Sequence, residues 1–221
     1  ETDVRPETRT EVGSLVQSLG VFRDGQTLTS VLNLEDAELV RVQAEELGVP
    51  FQALAPLKPW LAALQLGSLN NARSGQGQWP EGLSLLLDIA IDQGKEIMFL
   101  EASRAILLNK VASFPEETHV ALLKSAVHQI RDNSDQAQDV LTAWLAGDAA
   151  ALSELYHGEG QWADALTYQT LLVERNHQWV ADIESLLETE QGTILIGVGA
   201  GHVVGPDSLI MVLKQKGFLV Q

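Results

Sequence analysis

A histidine on a glycine-rich turn is the residue of this sequence best suited to chemistry. The segment Gly199-Ala200-Gly201-His202 follows the short apolar run 193–198 and precedes Gly205-Pro206, where a helix can begin. Glycine permits a positive φ and lets a ligand approach the backbone closely, and an imidazole can bind a metal or transfer a proton near neutral pH. The pattern predicts a functional site at His202. The alternative is a tight turn whose histidine only bonds a backbone carbonyl.

A carboxylate occupies the same position after a second apolar run. Glu101 directly follows the run 95–100. In open α/β sheets ligands bind outside the carboxyl ends of the strands, so Glu101 and His202 would meet if the two runs were neighbouring strands. Such a pair can hold a divalent metal or act as general acid and base. The alternative is that Glu101 only begins the next helix, where the helix dipole favours a negative charge.

Two further polar residues stand inside a long amphipathic helix predicted over 162–190. Arg175 and Asn176 interrupt its apolar pattern, and asparagine is a mediocre helix former. Solvent exposure explains them, and so does a buried site facing the strand ends. The remaining histidines lack paired metal-ligand spacing and are expected at the surface, and the five tryptophans are expected in the core or at packing edges. These histidines are His119, His128, His157 and His177.

Several common site signatures are absent. The sequence contains no H-E-x-x-H, G-x-S-x-G or G-x-x-x-x-G-K-[ST] motif, so zincin, α/β-hydrolase and P-loop assignments lack their local pattern. The glycines of 197–202 resemble a dinucleotide fingerprint, but His202 stands where the third glycine belongs, and too few residues follow for the rest of that unit. Nicotinamide binding is therefore excluded.

The elements that must position these residues are mostly helical. Asn33 is a predicted N-cap for a helix that ends at Gly48, and Gly217 is a predicted C′ residue for the last helix. The polar stretch 70–80 is the best hinge candidate. Strands are predicted only for 95–100, 193–198 and 218–220. The expected fold is α/β, a small sheet with predominantly helical insertions, largely α by residue count, with the helical portions at about 5–80 and 115–190.

Composition places the chain among ordinary globular proteins. It has 221 residues, 45% of them apolar and 20% charged, which suits a single domain over 1–221. The formal net charge of −16 repels nucleic-acid phosphate, so nucleic-acid binding is not expected. There is no cysteine, and no apolar run of membrane-spanning length. A first residue other than Met suggests a trimmed chain, and an extracytoplasmic location reached through a removed leader is favoured over a cytoplasmic one.

Several motifs together resemble the TraB/GumN family, which includes the Tiki-type proteases, and the resemblance spans essentially the whole chain. In family order, these motifs are Glu1-Thr2-Asp3, Lys58-Pro59-Trp60, Leu100-Glu101, Glu174-Arg175-Asn176, Gly199-Ala200-Gly201-His202, Gly205-Pro206-Asp207 and Gly217-Phe218. The sequence departs from the family pattern at Leu83-Ser84 and at Ala102. The family also has an earlier Gly-x-x-His motif, which the resemblance places upstream of Glu1 together with a first strand.

The resemblance implies a metal-dependent, peptidase-like hydrolase acting on a peptide or protein substrate. Its catalytic residues would be Glu101, Arg175, Asn176 and His202, and a divalent ion would be bound by His202, Glu101 and Glu1. The alternative is a non-catalytic peptide-binding or regulatory protein of the same fold. A third interpretation is a helical interaction domain with a purely structural turn, which a separation of Glu101 and His202 beyond roughly 10 Å would favour.

Overall fold

Helices make up most of the described chain. The computed structural model describes residues 6–23, 25–73, 82–101, 103–132 and 136–220. The helices are α1 (Pro6–Gly20), α2 (Leu28–Val31), α3 (Leu34–Glu46), α4 (Phe51–Leu54), α5 (Pro59–Arg73), α6 (Gly82–Asp92), α7 (Arg104–Ala112), α8 (Glu116–Asp132), α9 (Gln136–Ala146), α10 (Ala149–His157), α11 (Ala165–Tyr168), α12 (Glu174–Thr189) and α13 (Leu209–Gln215). A π-helical turn, Gln169–Val173, joins α11 to α12, and a 3₁₀ turn spans Ala200–His202.

The described residues fall into two compact units. The N-terminal unit comprises residues 6–73 and 103–132 within the described ranges, and the C-terminal unit comprises 82–101 and 136–220. The expectation of a single domain over the whole chain stays a prediction. Both positions with the strongest sequence signals, Glu101 and His202, belong to the C-terminal unit.

The core of the N-terminal unit lies where α8 packs against α5 and α3. Trp60 and Leu66 on α5, and Leu123 and Val127 on α8, are almost completely buried. Leu123 and Val127 are four residues apart, a spacing that places both side chains on one face of α8. Burial of these apolar side chains is the main stabilising contribution to this unit.

Local signals fix the bounds of α3 as predicted. The Oδ1 atom of Asn33 accepts a hydrogen bond from the Asp36 backbone N–H at 2.8 Å, which satisfies a helix donor that has no partner within the helix. Gly48 follows the helix with φ of +80°, a conformation that glycine adopts without steric cost. The N-cap and the glycine stop are both confirmed.

The core of the C-terminal unit lies between α12 and α13. Trp179, Val180 and Ile183 of α12 are buried against Leu209 and Val212 of α13. The two apolar runs lie beside this core, with Leu100 from the first and Ile196 and Val198 from the second packed on it. This packing brings the end of each run, and hence Glu101 and the 199–202 turn, to α12.

The prediction of an α/β fold with a small sheet is wrong for the described residues, which are mainly helical. The runs 95–100, 193–198 and 218–220 form no strand in the described part of the chain, where β-type pairing is limited to isolated bridge positions, such as the antiparallel bridge between Val21 and Leu57. A short apolar run predicts a buried segment but does not specify a partner for its backbone. The first two runs satisfy their apolar character by packing on α12 and α13.

Other bounds differ modestly from the predictions. The long C-terminal helix begins at Ala165 and contains the π turn, and α13 begins at Leu209 with Ser208 as its N-cap. Helix α5 continues to Arg73, and the rest of the predicted hinge lies outside the described residues. Within the described ranges, no helix combines the length and the apolar character needed to cross a bilayer.

Candidate functional site

The turn that carries His202 is a single 3₁₀ turn. The His202 backbone N–H donates to Gly199 O at 2.9 Å, and the Val203 N–H donates to Ala200 O at 3.0 Å. The positive φ expected at Gly199 or Gly201 occurs instead at Gly205, with φ of +89°. The turn directs the imidazole inward, so that His202 is 9% exposed.

The tautomer of His202 is defined by Asn176. The Asn176 Nδ2 group donates to the backbone oxygen of Asp207 at 2.7 Å, which leaves Oδ1 facing His202 Nδ1 at 2.7 Å. An amide oxygen only accepts hydrogen bonds, so Nδ1 of His202 carries the proton. In the neutral ring Nε2 then keeps its lone pair, and Arg175 Nη1 lies 3.3 Å from it.

Arg175 connects the histidine to the carboxylate. Its Nε donates to Glu101 Oε1 at 2.5 Å, and the two side chains are only 12% and 16% exposed. One guanidinium group therefore contacts both Glu101 and His202, whose side chains lie well within the limit of roughly 10 Å set for the structural alternative. The other carboxylate oxygen, Glu101 Oε2, is buried and has no hydrogen-bond partner among the described residues.

The Trp179 ring packs against the guanidinium group of Arg175 and the imidazole ring of His202. The Arg175 guanidinium carbon lies 4.6 Å from the Trp179 ring centre, and the His202 ring centre lies 4.5 Å from it. A cation over an indole face is attracted by the ring quadrupole. Because Trp179 is fully buried and lies one helical turn after Arg175, it holds the guanidinium and the imidazole on one surface.

The π turn before α12 provides a further anchor for Arg175. The Nη1 group of Arg175 donates to Leu171 O, a carbonyl of this turn, at 3.0 Å. π turns occur often at functional sites because they change the direction of the side chains that follow. Asn176, next in the chain, is completely buried, which excludes solvent exposure as the explanation for its place in the helix.

A second histidine supports the turn from outside. The Nε2–H group of His157 donates to Gly201 O at 2.8 Å, and its Nδ1 accepts from the Trp162 indole N–H at 3.4 Å. The His157 and Trp162 rings are stacked, 6.2 Å apart. The default of a surface position is wrong for His157, because its ring is packed between the turn and Trp162.

Tyr168 and Asp207 complete this support. The Tyr168 hydroxyl donates to Asp207 Oδ2 at 2.6 Å, and burial, together with this carboxylate, raises the pKa of Tyr168 above its usual range. The phenol therefore stays protonated and keeps donating. Asp207 thus accepts a hydrogen bond from Tyr168 through its side chain and one from Asn176 through its backbone oxygen. Asn176 in turn accepts a hydrogen bond from His202.

Four of the predicted site residues converge here: Glu101, Arg175, Asn176 and His202. Glu1 lies outside the described residues. Sequence reasoning assigned no role to Trp179, His157, Tyr168 or Asp207. The sequence contains a signal for Trp179. It lies four residues after Arg175 and three after Asn176, a spacing that places all three side chains on adjoining parts of one helix surface.

The donors present suit a divalent ion in type. Unprotonated imidazole nitrogen and carboxylate oxygen are ordinary ligands of zinc and similar ions, and His202 Nε2 and Glu101 Oε2 are of these kinds. A ligating histidine commonly donates its other N–H to a protein oxygen, as His202 does to Asn176. The described residues include no group of three or more histidine and acidic side chains able to hold a metal, so these two donors form only part of a ligand set.

The His202 tautomer can be tested directly. Near neutral pH, the nitrogen NMR shifts of His202 should report a protonated Nδ1 and an unprotonated Nε2. In Asn176→Leu the acceptor is lost, so this preference should disappear, with a stability cost of about 1–3 kcal/mol for the unpaired groups. The exposed His177 is the internal control. A protonated Nε2 in the unsubstituted protein would contradict the assignment.

Comparison with known proteins identifies the family of the chain. No curated protein and no solved structure matches the chain. The family model described as the TraB/PrgY/gumN family matches residues 1–221. Because this match covers the full sequence, the chain belongs to the TraB/PrgY/gumN family.

Proposed function

We propose that this protein is a metal-dependent, peptidase-like hydrolase whose reaction centre includes Glu101, Arg175 and His202. The observation that carries the proposal is the convergence of three groups with complementary chemistry. They are an imidazole of defined tautomer, a buried carboxylate oxygen without a hydrogen-bond partner among the described residues, and a guanidinium group that contacts both residues. Charged groups that are largely buried, as these are, interact more strongly than they would in water.

His202 Nε2 and Glu101 Oε2 would contribute ligands to the ion, and Glu1 is a further candidate. When bound, a divalent ion polarises a scissile carbonyl and lowers the pKa of bound water. Asn176 positions His202, because both polar ends of its amide are already engaged, by His202 and by the Asp207 backbone. It is therefore a positioning residue.

Arg175 is the group suited to the charge that develops on the substrate. A guanidinium group has five N–H donors in a fixed planar fork, and those of Arg175 are held in place by Glu101, by Leu171 O and by the contact of Nη1 with His202 Nε2. Donors aimed at a developing oxyanion lower the barrier most when they are held in place before reaction. Trp179 beneath the guanidinium, and Leu171 beside it, provide this fixed position.

The test is peptide hydrolysis by the complete protein, followed by mass spectrometry on a mixed peptide library. We expect cleavage that a chelator abolishes and a divalent ion restores. Because a bound ion would contribute several kcal/mol of transition-state stabilisation, Glu101→Gln and His202→Ala, which each remove one of its ligands, should lower the rate at least about a hundredfold. His177→Ala, which removes an exposed histidine next to Asn176 on α12, should retain full activity.

A non-catalytic binding site is the second candidate, favoured by the Arg175–Glu101 ion pair. This pair already engages Oε1 of the carboxylate, and arginine itself is a good partner for a peptide carboxylate. Peptide binding that needs no metal, persists in His202→Ala and is accompanied by no cleavage would replace the hydrolase proposal with this one.

A further inference from the structure

The N-terminal unit contains a cavity that is separate from the residues of the proposed reaction centre. It has a volume of about 580 Å³ and is lined by residues of α1, α5, α7 and α8 and of the segments between them. Small-molecule sites typically measure about 300–1,000 Å³. The cavity is therefore large enough for a small organic ligand.

Its walls combine polar and apolar surface in about equal parts, with six of the twelve described lining residues polar or charged. Leu19, Phe22 and Phe114 contribute apolar side chains, and Lys58 and Glu116 contribute charges. In small-molecule sites apolar surface binds the body of the ligand and polar groups fix its orientation, and the lining here provides both kinds of surface.

The charge of the lining is positive on balance. Among the described residues, the lining includes two cations, Lys58 and Arg23, and one carboxylate, Glu116. His119 adds no charge at neutral pH, because burial lowers its pKa. Helices α5 and α8 begin at the cavity, and α1 and α7 end there. Their dipoles therefore offset one another, and the charged side chains decide which sign of ligand charge the cavity prefers. A positive lining is notable in a chain with a net charge of −16.

Lys58 is the group available to a ligand. It is half-buried, and its ammonium group forms no ion pair or hydrogen bond with the described residues. Arg23 donates one long hydrogen bond, of 3.3 Å, to Ser18 O. An ammonium group is a charge-assisted donor for a carboxylate.

His119 shapes the inner wall. It is 6% exposed, and its Nε2–H donates to Val111 O at 2.8 Å, which fixes the ring between Trp60 and Phe114. Since Nε2 is engaged and the ring is neutral, Nδ1 remains as an acceptor. The imidazole therefore contributes a rigid, uncharged surface beside Lys58.

We propose that this cavity is a binding site for a small organic carboxylate with an apolar body, whose carboxylate is bound by Lys58 and whose body lies against Phe22 and Phe114. Glu116 opposes the carboxylate and weakens its binding. The site is independent of the proposed hydrolytic function, because every residue that forms it belongs to the N-terminal unit.

The experiment is calorimetric titration of the complete protein with phenylbutyrate and with its neutral analogue phenylbutyramide. A charge-assisted hydrogen bond contributes about 1.5–3 kcal/mol, so Lys58→Gln should weaken phenylbutyrate binding at least about tenfold and leave phenylbutyramide unchanged. Glu116→Gln should have the opposite effect and tighten phenylbutyrate binding severalfold. Lys95→Gln, an exposed lysine of the other unit, changes net charge equally and should have no effect.

The opposite signs keep the proposal testable even if one variant is poorly folded. Absence of saturable phenylbutyrate binding to the unsubstituted protein would overturn it. So would equal affinity for the acid and the amide, or an equal loss in Lys58→Gln and Lys95→Gln. Any of these results leaves the metal and cleavage tests of the C-terminal unit unaffected.

Discussion

Replacement of Arg175 by methionine is expected to lower the free energy of unfolding by about 3–5 kcal/mol, the usual cost of leaving one partner of a buried ion pair uncompensated. Glu101 is 16% exposed, so its carboxylate would lose its cationic partner without gaining much water. The loss of the contacts between Arg175 and Trp179 adds to the effect. Chemical denaturation of the purified variant measures the change.

Removing the second charge separates the ion pair from simple packing. In Arg175→Met combined with Glu101→Leu, most of the lost stability should return, because buried ion pairs replaced by apolar residues are often neutral in stability. Lys216→Met, which breaks the exposed pair with Glu184, should cost no more than about 1 kcal/mol. If Arg175→Met is as mild as this control, the pair is not a buried interaction.

Gly205→Ala is the second change with a large expected effect. The backbone of Gly205 has φ of +89°, and a left-handed conformation costs a residue with a Cβ about 1–2 kcal/mol. A Cβ there would also lie 2.6 Å from Cδ2 of the His157 ring, and overpacking of this kind typically costs a further 1–3 kcal/mol or so. We expect a total loss of about 2–5 kcal/mol.

A matched control separates these two contributions. Gly217 has φ of +92° and open space around its Cβ position, so Gly217→Ala should show only the backbone cost of about 1–2 kcal/mol. In a His157→Ser background, Gly205→Ala should become milder, because the clash is removed. Equal losses for Gly205→Ala and Gly217→Ala in thermal denaturation would show that His157 does not pack against this turn as described.

The ends of several helices were predicted well from the sequence, because a helix end depends on one or two residues. The Asn33 N-cap needs one side chain and one nearby N–H, and Gly217 ends α13 through its own backbone freedom. Such interactions are local, so a window of a few residues contains all the information.

The small sheet was not predictable in the same way. The run 193–198 has the composition of a strand, but a strand also requires a backbone partner, which no local pattern specifies. Within the described residues the run packs Ile196 and Val198 on the α12–α13 core. The apolar character of this run correctly predicted that it packs on the core, but it wrongly predicted that the run forms a strand.

The candidate site was predicted in its residues but not in its connections. Glu101 and His202 were expected to meet as neighbours on a sheet, whereas Arg175 of α12 contacts both. His157 lies 44 residues before Gly201 in sequence, and no spacing rule links them. Contacts between distant segments depend on tertiary packing, which explains why the supporting histidine was missed.

The central claim, a divalent ion bound through His202 and Glu101, is tested most directly by elemental analysis of the purified complete protein. The account predicts a stoichiometric divalent ion in the unsubstituted protein and in His177→Ala, and its loss in His202→Ala and Glu101→Gln when both variants remain folded by circular dichroism. Unchanged metal content in His202→Ala, or no metal in the unsubstituted protein, would contradict the claim.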